Sequence, residues 1–366
     1  MLFPPATCPR LIVKVGSALL VAPDGAVRRA WLATLVADIA ARVAAGQQVA
    51  IVSSGAIALG ARRLGLAKGG RASLEDAQAA AATGQIALSQ TWAELLGTHG
   101  ITAAQMLVTL DDLEDRRRYL NAAATLNRLL GLGVVPVINE NDSVATEEIR
   151  FGDNDRLAAR VAQAAGAQGV TLLSDVDGLY DANPHTHPAA RHIATVERID
   201  AVAGMADAGS ASGMGSGGMV SKIAAARIAT GAGANLAIAS GRLDHPLSGE
   251  QRHTMFVAER AAPARKAWLA GGLTAKGAIH VDAGAARALA AGSSLLAAGA
   301  TRIEGGFARG DLVTIAGPDG LLARGLSEYD AGEAVRLIGT RSDEQAAILG
   351  YAPRAALVHR NHLALV

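Results

Sequence analysis

The segment Gly213-Met-Gly-Ser-Gly-Gly-Met-Val-Ser-Lys222 sets a glycine- and serine-rich run directly before one lysine and an alanine-rich helical pattern. Small residues let the backbone wrap an anion, and N–H groups at a helix N-terminus beside a fixed cation cradle phosphate. Two familiar phosphate motifs do not fit. Gly213, Gly215 and Gly218 match the dinucleotide spacing, but no strand precedes them, and the next apolar run (Leu236 to Ala239) ends in Ser240 and Gly241 rather than a carboxylate. The Walker A pattern fails because no glycine stands directly before Lys222. The chemistry indicated is phosphate handling outside both motifs.

Further polar residues punctuate apolar runs. Lys14 sits inside the apolar run Leu11 to Val15, with Gly16 and Ser17 beyond it, a costly place for an ammonium unless it emerges to meet an anion. Ser53-Ser54-Gly55 closes the next apolar run and opens a helical pattern, as either a helix cap or a second anion cradle. Asn139-Glu140-Asn141-Asp142 follows another run, Asp153-Asn154-Asp155 follows a glycine and precedes a helix, and Ser174-Asp175 ends the run Val170 to Leu173. The acidic tracts lack the distal glutamate of a calcium loop. His185 with His187, and His359 with His362, lack helical metal-ligand spacing, so no metal site is assigned to protein residues.

Positioning these residues requires strands that alternate with helices. Apolar runs at 11–15, 48–52, 104–108, 134–138, 170–173 and 236–239 are separated by helical patterns at about 29–45, 74–96 and 114–130. That rhythm predicts an α/β fold with a mostly parallel sheet sandwiched by helices, whose ligands gather beyond the carboxyl ends of the strands. Segments 143–151 and 177–196 read as hairpins projecting from the sheet. After about Ala275 the texture changes to short strands at 278–281, 312–315, 321–324 and 335–338, with one helix at 283–291 and glycine-rich turns between. This predicts a small, mostly β, barrel-like domain.

The chain has 366 residues, beyond the roughly 250–300 that one core usually serves, so two domains are expected: 1–258, a linker at 259–276, and 277–366. Half the residues are hydrophobic and 18% are charged, which supports a large core and excludes bulk disorder. The net charge of +1 gives no general pull toward nucleic acid or anionic membrane. Cys8 is the only cysteine, so no internal disulfide forms, and with no leader pattern and no apolar run near 20 residues a cytoplasmic protein is expected.

Taken together, Val13-Lys-Val-Gly-Ser17, Val52-Ser-Ser-Gly-Ala-Ile57, Asn139-Glu-Asn-Asp142, Gly152-Asp-Asn-Asp155, Ser174-Asp-Val-Asp-Gly-Leu-Tyr180 and Gly217-Gly-Met-Val-Ser-Lys222 resemble the amino-acid kinase family, in its glutamate-phosphorylating branch. Residues 277–366 resemble a PUA domain. Ser53 and Ser174 stand where the family often has threonine, and both keep the hydroxyl. The resemblance implies transfer of the γ-phosphoryl of ATP to the side-chain carboxylate of L-glutamate, as the first step of proline biosynthesis. It implies Lys14, Lys222 and Asp155 as the catalytic group, and Ser54, Asp142 and Asn154 as the glutamate-binding residues. Lys14, Ser174, Asp175 and the loop Ser216, Gly217, Gly218, Met219, Val220, Ser221 and Lys222 would hold ATP, with Mg²⁺ carried mostly by phosphate oxygens and water. Feedback inhibition by proline and a homo-oligomer, tetramer or dimer, are implied as well. Within the same fold, kinases for acetylglutamate, aspartate, carbamate or a nucleoside monophosphate are the rivals. A rival of another class is RNA binding through the tail; its eight Arg, no Lys and nine acidic residues from 277 to 366 supply no basic footprint.

Overall fold

The computed structural model describes residues 1–22, 25–144, 154–184, 186–202, 204, 218–249, 251–258, 274–354 and 356–366. Its contacts divide into two compact units, Met1–Glu114 with Ala122–Arg260, and Asp115–Asn121 with Ala261–Val366.

In the larger unit the strands are β1 (Arg10–Val15), β2 (Gln48–Ser53), β3 (Ala103–Val108), β4 (Val135–Glu140), β5 (Gly169–Ser174), β6 (Leu179–Tyr180), β7 (His192–Ile193), β8 (Thr195–Val196), β9 (Asn235–Ser240) and β10 (His253–Phe256). Among the described residues, eight of them form one sheet in the order β3-β4-β2-β1-β5-β9-β10-β8. From β3 to β9 every pairing is parallel; β10 runs antiparallel to β9 and parallel to β8. The α-helices among the described residues up to 258 are α1 (Ser17–Leu20), α2 (Arg29–Ala44), α3 (Ala56–Leu64), α4 (Leu74–Gly97), α5 (Leu110–Glu114), α6 (Arg116–Gly131, whose residues up to Asn121 are grouped with the smaller unit), α7 (Asn154–Ala165) and α8 (Met219–Gly231).

Strand β1 lies between β2 and β5, with Val15 opposite both Ser53 and Leu173. Its side chains alternate between faces. Leu11, Val13 and Val15 join Leu35, Ile39, Val49, Ile51, Trp92 and Leu96 in a dry core against α2 and α4. Ile12 and Lys14 point the other way, toward α7, which packs on β1. Burying each large aliphatic or aromatic side chain stabilises the fold by roughly 1.5–3 kcal/mol, so a strand this apolar holds its register firmly. The lysine therefore has a defined depth and face.

Helices α3 and α4 cross at unusually close range. A Cβ on Gly60 would fall 1.7 Å from the carbonyl oxygen of Ala80, and one on Gly84 would fall 1.8 Å from that of Ala56. Only glycine fits at either point, and the crossing sets how near α4 comes to the sheet's carboxyl edge.

The expected parallel α/β sheet is present, with local departures. The helix anticipated at 114–130 is interrupted at Asp115, whose carboxylate accepts the N–H of Arg118 at 2.9 Å and starts a new helix. In the hairpin segment 177–196, β6 and β7 pair antiparallel, whereas β8 joins the main sheet. Strand β10 follows no run singled out in the sequence. The hairpin expected at 143–151 falls almost wholly outside the described residues, as do His185, residues 259–273 of the connector, and Gly213, Gly215, Ser216 and Gly217.

The smaller unit contains β11 (Gly277–Val281), β12 (Ala300–Gly305), β13 (Leu312–Gly317), β14 (Gly320–Leu326) and β15 (Leu363–Leu365), ordered β12-β11-β13-β14-β15. Among the described residues of this unit, only β11 and β13 pair in parallel. Ile279, Val313, Ile315, Tyr329, Leu337 and Val358 belong to its separate core. The strand expected at 335–338 is wrong: Ala331–Leu337 is helical. Asp330 accepts the Glu333 N–H at 2.8 Å while the Glu333 side chain reaches back to the Asp330 N–H, a reciprocal cap that outweighs the β-branched Val335. The Asp-x-x-Glu spacing was visible in the sequence.

Candidate active site

Parallel strands put their carboxyl ends on one edge, and the polar residues collect there. Asp155 is the second residue of α7, fully enclosed at 2% exposure. Its two oxygens meet two ammonium groups: Lys14 Nζ at 2.6 Å from Oδ1 and Lys222 Nζ at 2.9 Å from Oδ2. Lys14 arrives from β1 and Lys222 from the first turn of α8, each buried. Burial by itself pushes the Asp155 carboxyl up, but the two ammonium groups more than reverse this and hold it below the ordinary carboxylate range. Two cations around one anion leave the cluster with a net positive charge, and buried charge of that kind attracts an anion strongly.

The helix behind Lys222 adds to that field. Gly218 precedes α8 in an extended conformation with no side chain capping the first turn. The N–H groups of Met219 and Val220 thus lie at the positive end of the helix, where phosphate oxygens are favoured. Ser174, buried at the end of β5, donates from Oγ to Asp175 Oδ1 at 3.1 Å. In this strand order β5 lies beside β1, so Ser174 and Lys14 sit on neighbouring strand ends.

A second polar group lies on the β2–β4 side. Gly55 takes φ +112°, a left-handed conformation, and a Cβ there would press to 3.2 Å on Leu20. The two serines before this turn face opposite ways, as successive residues at a strand end do. Ser53 is fully buried and accepts the Trp92 indole N–H at 2.9 Å, so it is part of the core, while Ser54 faces α7. Asn154, the first residue of α7, donates from Nδ2 to Ser54 Oγ at 2.8 Å and to Asn139 Oδ1 at 3.2 Å. Asn139 Nδ2 in turn donates to Gln85 Oε1 at 2.9 Å.

Asp142, on the short turn Asp142–Val144 after β4, lines a cavity of about 200 Å³ with Ala56, Gln85, Gln105 and Glu140. Burial raises its carboxyl pKa to about 6, partly opposed by the Arg71 guanidinium. A carboxylate made uncomfortable in this way gains most from a cationic partner. Gln85 lines this cavity with Asp142 and connects through Asn139 to Asn154 and Ser54; Lys14, Asp155 and Lys222 form one cluster, which Asn154 adjoins through its neighbour Asp155. Of the residues expected to hold ATP, Ser216 and Gly217 lie outside the described residues. Gln85 and Asn139 were not singled out individually as site residues; the signals available were a lone glutamine in the alanine-rich stretch of α4 and the polar tract Asn139-Glu140-Asn141-Asp142.

A carboxyl-edge site with a lysine–aspartate–lysine centre and an uncapped helix terminus defines a phosphotransferase class: the chain belongs to the amino acid kinase family, whose model matches residues 9–240, and it carries a PUA domain at 277–349. It is 74% identical to a glutamate 5-kinase of Sphingopyxis alaskensis, over the full length of both chains. It is also 62% identical to a glutamate 5-kinase of Novosphingobium aromaticivorans, over 99% of this chain and 97% of that one, and 60% identical to one of Zymomonas mobilis, over 100% and 93%. These relatives place the chain in the glutamate 5-kinase branch of the family. No helix among the described residues is long and apolar enough to cross a membrane.

Proposed function

We propose that the protein transfers the γ-phosphoryl group of ATP to the side-chain carboxylate of L-glutamate, giving L-glutamyl 5-phosphate and ADP, the first step of proline biosynthesis. The observation that carries the reading is the convergence of Lys14 and Lys222 on Asp155. Full-length similarity to glutamate 5-kinases supports the choice of acceptor.

A glutamate carboxylate has a pKa near 4.3, so at neutral pH it is already a nucleophile and needs no general base. Its oxygen attacks the γ-phosphorus, the bond from that phosphorus to the β,γ-bridging oxygen breaks, and ADP departs with the bond's electrons. The barrier is the approach of an anion to a polyanion, so catalysis consists of alignment and charge neutralisation. Lys14 and Lys222 flank the phosphoryl group in flight, and Asp155 holds both ammonium groups in place. Ser54, Asn154 and Asp142 bind glutamate, with Asp142 facing its ammonium. Ser174, Asp175 and the segment from Ser216 to Lys222 hold ATP.

Both Asp155 oxygens are engaged by lysines, which supports Mg²⁺ arriving bound to ATP phosphates. Such an ion would neutralise part of the phosphate charge. The kinase domain is taken to span 1–258, a linker 259–276 and the PUA domain 277–366. Proline as a feedback inhibitor and a homo-oligomer, tetramer or dimer, complete the reading; glutamate-dependent turnover with and without proline, and mass in solution, test these two.

The primary test is glutamate-dependent release of ADP by the purified protein, run beside acetylglutamate, aspartate, carbamate and a nucleoside monophosphate. Lys222→Ala is expected to lower kcat by about 10³-fold or more while glutamate still binds. Wild-type turnover in that variant, or equal turnover with another acceptor, would defeat the assignment.

A further inference from the structure

The glutamate-side residues are the inner end of a hydrogen-bond chain with one direction. Asn154 Nδ2 donates to Asn139 Oδ1, and Asn139 Nδ2 donates to Gln85 Oε1. Gln85 Nε2 donates to Ser89 Oγ at 3.1 Å, and Ser89 Oγ donates to Gln105 Oε1 at 2.7 Å. In Asn139 and in Gln85 the oxygen accepts from the preceding member, on the Asn154 side, and the nitrogen donates to the next. The second hydrogen of Asn154 Nδ2 goes to Ser54 Oγ, so both of its hydrogens are committed. The buried Asn154 Oδ1 has no hydrogen-bonding partner among the described residues. An acceptor left open in this way is costly unless a ligand supplies the donor.

We propose that Gln85 is a positioning residue for glutamate: through Asn139 it locks the Asn154 amide with Oδ1 as an acceptor for the substrate's ammonium and leaves the Ser54 hydroxyl proton to donate to a substrate carboxylate. Without Gln85 Oε1 the Asn139 amide can turn over. It then shows Nδ2 to Asn154, whose own amide must turn as well, and an N–H donor replaces the acceptor before the ammonium. The α3–α4 crossing at Gly60 and Gly84 serves this device directly, because Gly84 precedes Gln85 and sets its depth.

The inference rests on the glutamate-binding reading above, and its test separates the two. Wild-type protein with no glutamate-dependent activity would remove that reading; the variants bear on Gln85 alone. Gln85→Met, close in volume and without hydrogen-bonding groups, is expected to raise the glutamate KM about tenfold, the value of roughly one good hydrogen bond, with kcat and the ATP KM within about twofold of wild type. Glutarate, which lacks the ammonium, should weaken as a competitive inhibitor by less than glutamate weakens as a substrate. Gln85→Glu, which keeps an oxygen toward Asn139, should lie closer to wild type. Should Gln85→Met not fold, Ser89→Ala releases Gln85 Nε2 from outside and is expected to raise the same KM about two- to threefold. An unchanged glutamate KM in whichever of these two variants folds, equal losses in kcat and both KM values, or equal weakening of glutamate and glutarate would overturn the proposal.

Discussion

Asp155 and Asp142 are both acidic side chains drawn in from solvent, yet their surroundings drive them in opposite directions. Two lysines hold Asp155 ionised, and this is what keeps those lysines at a fixed separation. Removing Asp155 would strand two buried cations at a cost of several kcal/mol, so it is a poor probe of chemistry. Asp142 instead carries a carboxyl pKa of about 6, raised by desolvation, with Arg71 opposing. Above that pH it is ionised and can pair with an ammonium; below it, the carboxyl is neutral. The glutamate KM is therefore expected to rise as pH falls through about 6, approaching tenfold per pH unit on the acid side. Asp142→Asn should have a high KM with that dependence removed, as a pH series of initial rates would show; the same slope in both proteins would contradict the assignment. A carboxyl raised from 3.8 to about 6 binds its proton more tightly folded than unfolded, so ionising it destabilises the fold, fully so above pH 6 and not at all well below 4. Asp142→Asn should therefore unfold at higher denaturant than wild type at pH 7–8.

Strands and helices explain how residues remote in the chain meet. Lys14 precedes Asp155 by 141 positions and Lys222 follows it by 67, but β1, α7 and α8 deliver all three to one edge. The β1 alternation sends Lys14 to the α7 side while its neighbours anchor the opposite core. The α3–α4 crossing has the same importance for Gln85. Gly84→Ala would drive a methyl group into the Ala56 carbonyl, and overpacking of this kind costs about 1–3 kcal/mol and displaces helices. The expected outcome is lower stability together with a raised glutamate KM, measured by denaturant unfolding and steady-state rates. Ala79→Gly, at an exposed position earlier in α4, costs helix propensity alone and should leave that KM unchanged.

Each of the two units has its own core. The larger carries the Lys14–Asp155–Lys222 cluster; among its described residues the smaller has short antiparallel strands, one parallel pair and the capped helix Ala331–Leu337. Leu337 is fully buried in the second core, and Leu337→Ala should cost that unit about 2–5 kcal/mol. Hydrogen exchange is expected to show the loss of protection within 277–366; protection lost equally from β1 and β5 would show that the two cores do not unfold separately.

Much of this was legible from residue types and order. Apolar runs four or five residues long, separated by helical periodicity, specify a parallel sheet, since such runs are buried on both faces. Polar residues beyond apolar runs drew attention to Ser54, Asp142 and Ser174, a lysine inside one run to Lys14, an acidic tract before a helix to Asn154 and Asp155, and a glycine run before a helix to Lys222. Local chemistry also carried the Asp330–Glu333 cap, although the β-branched residues beside it pointed to a strand. What no linear reading contains is which side chains finally touch. Ser53 and Ser54 are identical in type, and only their partners in space, the Trp92 indole for one and the Asn154 amide for the other, set them apart. Gln85 looks like one polar residue in an alanine-rich helix until Asn139 comes to meet it from a strand 54 positions away. Pattern is a property of neighbours along the chain, whereas hydrogen-bond direction, desolvation and charge pairing arise from neighbours in space.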